Sequence, residues 1–342
     1  MNNSFIDRRL FIKISGLMAL RISSEVIFPH TSESAEPYKV SRTVLAMGTT
    51  VSMTLISASM EKAEEAMGLA YEEINRLSGL MNRFDDGSPI SQLNRDGILK
   101  YAHPDIIEVI SHAIKYYRLT GGAFDITIKP VIDLFKVKFS GVKYEYPSKK
   151  EINETLDLLG SDKIEIKGRD ISFTKSGMGI SLDGIAKGYI VDCASKILLS
   201  QGIKNHLINA GGDIKAMGAR ADGKLWTVAI QDPIKENNCL DVIQLSDAAV
   251  ATSGNYENYF DGAKMFHHIV NPKTGLSPIQ NASATVMAPT AMEADALATS
   301  LLVMDPVDGV RFIDSLPERE ALVISRTNKI KRSSGWKSII EM

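Results

Sequence analysis

Asp295 and Thr299 lie four residues apart in a segment, residues 290–304, that carries the marks of a single helix. Thr290 and Glu293 stand at capping-box spacing, and Asp305-Pro306 follows the apolar run, so a helix opens after Thr290 and closes before Asp305. One turn apart, a carboxylate and a hydroxyl share a helix face and offer two hard oxygens to Mg²⁺, which keeps other positions for water or phosphate. The same pair also reads as a solvated aspartate followed by a threonine bonded back to a helix carbonyl. Residues 181–189 read as a turn running into a second helix, whose apolar residues Ile190, Val191, Ala194, Ile197 and Leu198 recur at helical spacing until Gly202. Amides at that helix start, beside Gly184 and Gly188 and with Lys187 as a point charge, suit a phosphate anion. A capped helix with a surface lysine fits the same residues. His267 and His268 precede a Pro-containing turn ending at Gly275, where an imidazole either acts as a base near neutral pH or simply packs. Thr120-Gly121-Gly122-Ala123-Phe124-Asp125 either lines a planar ligand or is a plain turn into the strand-like Ile126-Thr127-Ile128.

The elements that must position these groups are mixed. Residues 61–80 and 104–119 are long helical patterns, and residues 51–56, 163–166, 225–231 and 240–245 are strand-like. They do not alternate regularly, which points to an α+β fold and not to a doubly wound sheet. Asn209-Ala210-Gly211-Gly212-Asp213 reads as a strand end entering a tight turn that supports the pocket, and residues 135–150, rich in lysine, tyrosine and glycine, read as a loop that could touch a partner. No G-x-G-x-x-G follows a strand, and the chain contains no Walker loop and no H-E-x-x-H. Thr252-Ser253-Gly254 lacks the spacing of a nucleophile elbow, which excludes that route to a serine hydrolase.

With 342 residues, 44% hydrophobic and 23% charged, the chain has ample material for a globular core. A net charge of −2 without a basic block argues against a nucleic-acid partner. Two cysteines give no disulfide framework, and Cys193, inside the second helical pattern, reads as a small core residue. At the N-terminus, Asp7-Arg8-Arg9-Leu10-Phe11-Ile12-Lys13 resembles a twin-arginine export signal, followed by a short apolar region at residues 14–20 that is too short to span a bilayer. Residues 24–36 are polar and read as a linker. The expectation is therefore an export signal and linker over residues 1–36, one domain over residues 37–342, no transmembrane span, and a periplasmic location, in part at the inner membrane.

Taken in chain order, Met47-Gly48-Thr49, Met81-Asn82-Arg83-Phe84, Gly122-Ala123-Phe124-Asp125, Asp183-Gly184-Ile185-Ala186-Lys187-Gly188, Asn209-Ala210-Gly211-Gly212-Asp213, Ala251-Thr252-Ser253-Gly254, the segment from His268 to Gly275, and Glu293-Ala294-Asp295 resemble the ApbE-type FAD:protein FMN transferases. The resemblance runs from about Met47 to about Asp305. It implies a single compact α+β domain with two lobes, related to the T-fold. It also implies that FAD, as substrate, is contacted by Met47, Phe84, Ala123, Phe124, Asp125, Lys187 and Ile269. Mg²⁺ would be held by the Gly184 carbonyl, Asp295 and Thr299. His268 is the choice for proton transfer, with Asp183 as the lesser candidate. The reaction implied moves FMN onto a Thr or Ser hydroxyl in a short motif of a separate membrane-bound or periplasmic electron-transfer protein, as a phosphoester, and releases AMP. Three positions depart from the family pattern: Phe84 replaces a frequent tyrosine, the carboxylate of Ser181-Leu182-Asp183-Gly184 is displaced by two positions, and Ala298 stands where some members carry an acid before the metal-binding threonine. Two other functions use many of the same residues: an FAD-binding carrier, and a Mg²⁺-dependent FAD pyrophosphatase yielding FMN and AMP.

Overall fold

The structure is a computed structural model that describes residues 37–140, 145–233, 238–255 and 269–339. His267, His268 and the whole export-signal region lie outside the described residues.

Strands β1 (Tyr38–Ala46) and β2 (Thr49–Ser57) form a hairpin with Ala46 opposite Thr49. Its two-residue loop has φ of 52° at Met47 and 72° at Gly48, the pair of positive values that matches the right-handed twist of the flanking strands. Glycine or asparagine is the usual occupant of the first position, and a methionine there costs about 1 kcal/mol. Helix α1 (Met60–Met81) starts at Ser59, whose side chain accepts from Lys62 N, and it buries Ala63, Met67, Ala70, Ile74 and Leu77 along one stripe. There follow α2 (Pro89–Asp96), β3 (Ile98–Leu99), α3 (Pro104–Leu119), a 3₁₀ turn Ile126–Ile128, α4 (Lys129–Phe139), α5 (Lys149–Leu156), β4 (Ile164–Lys167) and β5 (Asp170–Phe173). The second half contains α6 (Ala186–Ser200), β6 (Asn205–Ala210), β7 (Asp213–Met217), β8 (Trp226–Gln231), β9 (Cys239–Leu245) and β10 (Ala248–Gly254). It closes with β11 (Asn281–Ala288), α7 (Ala291–Val303), α8 (Pro306–Asp314), β12 (Glu320–Ser325) and β13 (Ile330–Arg332).

Eight strands make the main sheet in the order β1-β2-β6-β7-β10-β11-β12-β13, every pair antiparallel. Period-two alternation sends the side chains to two cores. Val51, Met53 and Leu55 of β2 join the core under α1 and α6, while Ala284, Val286, Ala321 and Val323 pack beneath α7 and α8. Residues one position out of phase, among them Ile56, Ile214, Ala216, Val250 and Leu322, face the other way and are covered by the β8–β9 hairpin and Trp336. Helices on one face and a hairpin on the other leave the α6–α7 side to carry the polar groups described below.

Two local readings of the sequence require correction. Residues 126–128 form a 3₁₀ turn and not a strand, because the Asp125 carboxylate accepts from both the backbone N and the hydroxyl of Thr127 and closes the turn on itself. Residues 135–150 are a loop only in part: α4 runs to Phe139, burying Val131, Ile132, Phe135 and Phe139, residues 145–148 are in no regular element, and α5 opens at Lys149 with a full Ser148–Glu151 capping box. Cys193 is buried and Cys239 exposed, both as free thiols. Among the described residues no helix is long and apolar enough to cross a membrane.

Candidate active site

A cavity of about 840 Å³, part of it open to solvent, lies where the turn before α6, the middle of α7, the end of β10 and residues 269–272 meet. Of the residues singled out from the sequence, Ala123, Phe124, Asp125, Asp183, Gly184, Lys187, Ile269, Asp295 and Thr299 all line it. Met47 and Phe84 do not. Met47 sits at the β1–β2 turn, partly packed against the helical core, and Phe84 is 70% exposed between α1 and α2.

Helix α7 is the element that places Asp295 and Thr299. Thr290 caps it by accepting from Glu293 N at 3.2 Å, but the capping box is only half made, because the Glu293 carboxylate is taken by Arg319 at 2.8–3.1 Å. Nearly the whole circumference of the helix is buried, including Ala294, Ala296 and Ala298, so small residues let it press between the sheet and α6. Asp295 is 4% exposed and, among the described residues, accepts from Gly188 N at 3.3 Å. One turn on, the Thr299 hydroxyl meets the Ser253 hydroxyl at 3.1 Å.

Gly184 brings the turn before α6 against this helix. A Cβ there would stand 2.9 Å from Thr299 Oγ1 and 3.4 Å from the Phe124 ring, so any side chain would occupy the space between the turn and α7. Lys187, in the first turn of α6, forms an ion pair of 2.9 Å with Asp213, which is 1% exposed. Burial pushes the Asp295 carboxyl well above the usual range, and the nearby charge of Asp213 pushes it further, with Lys187 only partly opposing both. Asp213 is raised by burial and drawn down by Lys187. Among the described residues, the two buried carboxylates are opposed by the Lys187 ammonium, which pairs with Asp213. A hard divalent ion fits on three counts: hydroxyl and carboxylate donors at one wall, a glycine that leaves room beside them, and the nearness of the two acids.

The remaining wall residues divide by what their polar atoms already do. Asp183 is held by Arg83, whose Nε and Nη2 donate to the carboxylate at 2.6–3.1 Å. That fork engages both carboxylate oxygens with Arg83. Arg83 in turn lies over the Phe84 ring at 4.1 Å, with Lys136 at 5.2 Å from the same ring. Asp125 accepts from Thr127 N, Thr127 Oγ1 and Ser161 Oγ at 2.6–2.9 Å. Burial raises its carboxyl while those bonds lower it, so Asp125 shapes the wall through fixed hydrogen bonds. Phe124 is buried and meets Tyr116 edge-on at 6.4 Å.

Sequence reasoning passes over Thr252, Ser253 and Asp213 as site residues, although all three line the cavity. Thr252 and Ser253 fail as a nucleophile elbow; the signal they do carry is that of a polar pair closing an otherwise apolar strand. Asp213 reads as support from the sequence, and the structure makes it the partner of Lys187.

A helix-start lysine facing a carboxylate–hydroxyl pair on a neighbouring helix defines a cavity suited to a phosphate-bearing ligand handled with a hard cation. The chain belongs to the ApbE family, whose family model matches residues 47–323. It is 32% identical over 275 residues to the FAD:protein FMN transferase of Vibrio cholerae, covering 77% of this chain and 81% of that protein. Against the Haemophilus influenzae protein of the same name the identity is 29% over 347 residues, covering 96% and 98%. The fold is similar to that of the crystallised ApbE protein from Thermotoga maritima, with a TM-score of 0.77, 29% identity and coverage of 87% of this chain and 97% of that one. Flavin transferase ApbE from Vibrio cholerae gives a TM-score of 0.74 at 29% identity, with coverage of 87% and 98%.

Proposed function

We propose that this chain is a Mg²⁺-dependent FAD:protein FMN transferase that moves FMN from FAD onto a Thr or Ser hydroxyl of an acceptor electron-transfer protein. The observation that carries the reading is the convergence of Gly184, Lys187, Asp295 and Thr299 on one cavity, in a chain akin to proteins of that name. Asp295, Thr299 and the Gly184 carbonyl would hold the cation, which when bound neutralises charge on the phosphoryl oxygens. The Lys187 ammonium faces the pyrophosphate, and Asp213 keeps that ammonium in place. Ala123, Phe124 and Ile269 form the apolar wall against the flavin and exclude water there. In the transfer, the acceptor oxygen bonds to the phosphorus of the FMN half as the P–O bond to the AMP phosphate breaks. AMP departs with the bonding electron pair, and the acceptor hydroxyl proton passes to His268. That assignment leaves Asp183 to its fork with Arg83.

The test is to mix the purified chain with FAD, Mg²⁺ and an acceptor bearing the Thr or Ser motif, then measure AMP and protein-linked flavin fluorescence. The expected result is equal amounts of AMP and labelled acceptor, both lost in EDTA. AMP without label would favour the pyrophosphatase, and bound FAD without AMP the carrier. The same proposal places the chain in the periplasm through its Arg8-Arg9 signal. Retention of the Arg8→Lys/Arg9→Lys precursor in the cytoplasmic fraction is the expected outcome, and unchanged export would contradict it.

A further inference from the structure

The metal-site helix is gripped at both ends by side chains that come from other elements. An isolated helix leaves its first four N–H groups and last four carbonyls without helical partners. In α7 the first amides are accounted for one by one. Asp192, on α6, accepts from Ala291 N through Oδ1 and from Met292 N through Oδ2, both at 2.9 Å. Thr290 takes Glu293 N at its side chain and Ala294 N at its carbonyl. Just upstream, Lys215 of β7 donates to the Pro289 carbonyl at 2.6 Å. At the far end, Asn281 of β11, fully buried, donates through Nδ2 to Leu301 O and Met304 O at 2.9 Å and to Leu302 O at 3.3 Å.

The grip at the first end is also close-packed. A Cβ on Gly188 would stand 2.3 Å from the Ala291 carbonyl oxygen, so α6 touches the start of α7 backbone to backbone. Asp192 lies one turn after Gly188 on α6, and Gly188 N is the group that reaches Asp295. One contact region therefore joins the Asp192 cap to the Asp295 ligand.

We propose that Asp192 and Asn281 are positioning residues that clamp α7 along its axis and thereby hold Asp295 and Thr299 at the cation site. The proposal rests on the reading of Asp295 and Thr299 as cation ligands. Outer-shell partners of metal ligands contribute about 10- to 100-fold to affinity, which sets the expected scale.

The test uses Mn²⁺ as probe, with free ion measured by electron paramagnetic resonance in FAD-saturated protein. Asp192→Ala is expected to weaken Mn²⁺ binding by about 10- to 100-fold, and Asn281→Ala by about tenfold. Asp192→Asn keeps one acceptor and serves if the alanine variant does not fold; a loss of about tenfold is expected. Ile243→Ala, in the buried core of the β8–β9 hairpin, should lower the melting temperature while leaving Mn²⁺ affinity unchanged. FAD affinity measured in EDTA should change much less than Mn²⁺ affinity in the Asp192 and Asn281 variants. If those variants bind Mn²⁺ as Ile243→Ala does while Asp295→Ala loses it, the clamp is overturned and the ligand assignment stands. If Asp295→Ala binds Mn²⁺ like the unaltered chain, the ligand assignment itself fails and the clamp with it.

Discussion

Asp241 and Asp295 are both buried carboxylates, 1% and 4% exposed, on opposite sides of the same sheet. Asp241, on the hairpin side, accepts from Trp336 Nε1 at 3.0 Å, Ser338 Oγ at 2.5 Å and Val242 N at 2.7 Å, and faces Arg332 at 3.4 Å. Burial alone would raise its carboxyl, but those donors outweigh it and hold the group below the usual range. Asp295, on the helical side, has among the described residues a single long hydrogen bond, from Gly188, and a second carboxylate nearby, and it is raised well above that range. A buried acid surrounded by donors is part of the scaffold. A buried acid short of donors, beside a hydroxyl and an opening to solvent, is prepared for something that arrives from outside.

The largest effect that separates the two is expected from Asp295→Ala. AMP release should fall by about 10³-fold, because the phosphoryl charge loses its counter-ion, while FAD binding survives in weakened form. The metal-free melting temperature should hold or rise, since the change removes a buried carboxyl whose hydrogen bond from Gly188 N, at 3.3 Å, is long. Unchanged transfer would erase the distinction between the two acids. Asp241→Ala should do the reverse, costing about 3 kcal/mol in urea unfolding while the transfer rate per folded molecule is retained.

His206 adds a third kind of buried group, one satisfied only when neutral. Its Nδ1 donates to Ile203 O at 3.0 Å and its Nε2 accepts from Ser195 at 2.8 Å, and burial lowers its pKa to about 4. The unfolded chain takes up this proton near pH 6.5 and the folded chain only near 4, so the neutral-His contribution is complete above 6.5. About 3 kcal/mol should be lost as pH falls across that window, seen as a drop in urea midpoint that a His206→Leu variant lacks. The smallest effect concerns Met47. An asparagine side chain tolerates the left-handed backbone of this turn better than methionine does, so Met47→Asn should gain about 0.5–1 kcal/mol in stability. If the strained side chain contacts flavin, FAD affinity measured by fluorescence titration should fall in the same variant. A gain in both would assign Met47 no part in binding.

Much of the scaffold is legible in the sequence because its signals are local. The helix over residues 104–119 carries proline at its first position and an apolar stripe, and α7 announces itself by Thr290 at one end and Asp305-Pro306 at the other. Helix α4 is harder to see because Lys136 and Lys138 interrupt the view of a stripe that Val131, Phe135 and Phe139 complete only when read at helical spacing. Asp125 conceals the 3₁₀ turn, since β-branched neighbours favour a strand until a side chain closes the turn. At the site, the relation of Asp295 to Thr299 follows from four-residue spacing within one helix. The Lys187–Asp213 and Arg83–Asp183 pairs do not follow from any spacing, because the fold brings together residues far apart in the chain.

The most direct test is the melting temperature of FAD-saturated protein with and without Mg²⁺, for the unaltered chain, Asp295→Ala and Asp241→Ala. Binding to the folded state alone raises stability by about 2.7 kcal/mol at a hundred times the Kd, so a bound cation is visible as a shift. The expected result is a Mg²⁺-dependent rise for the unaltered chain and for Asp241→Ala, and none for Asp295→Ala. An equal rise in all three would contradict the assignment of Asp295 as the acid that waits for a cation.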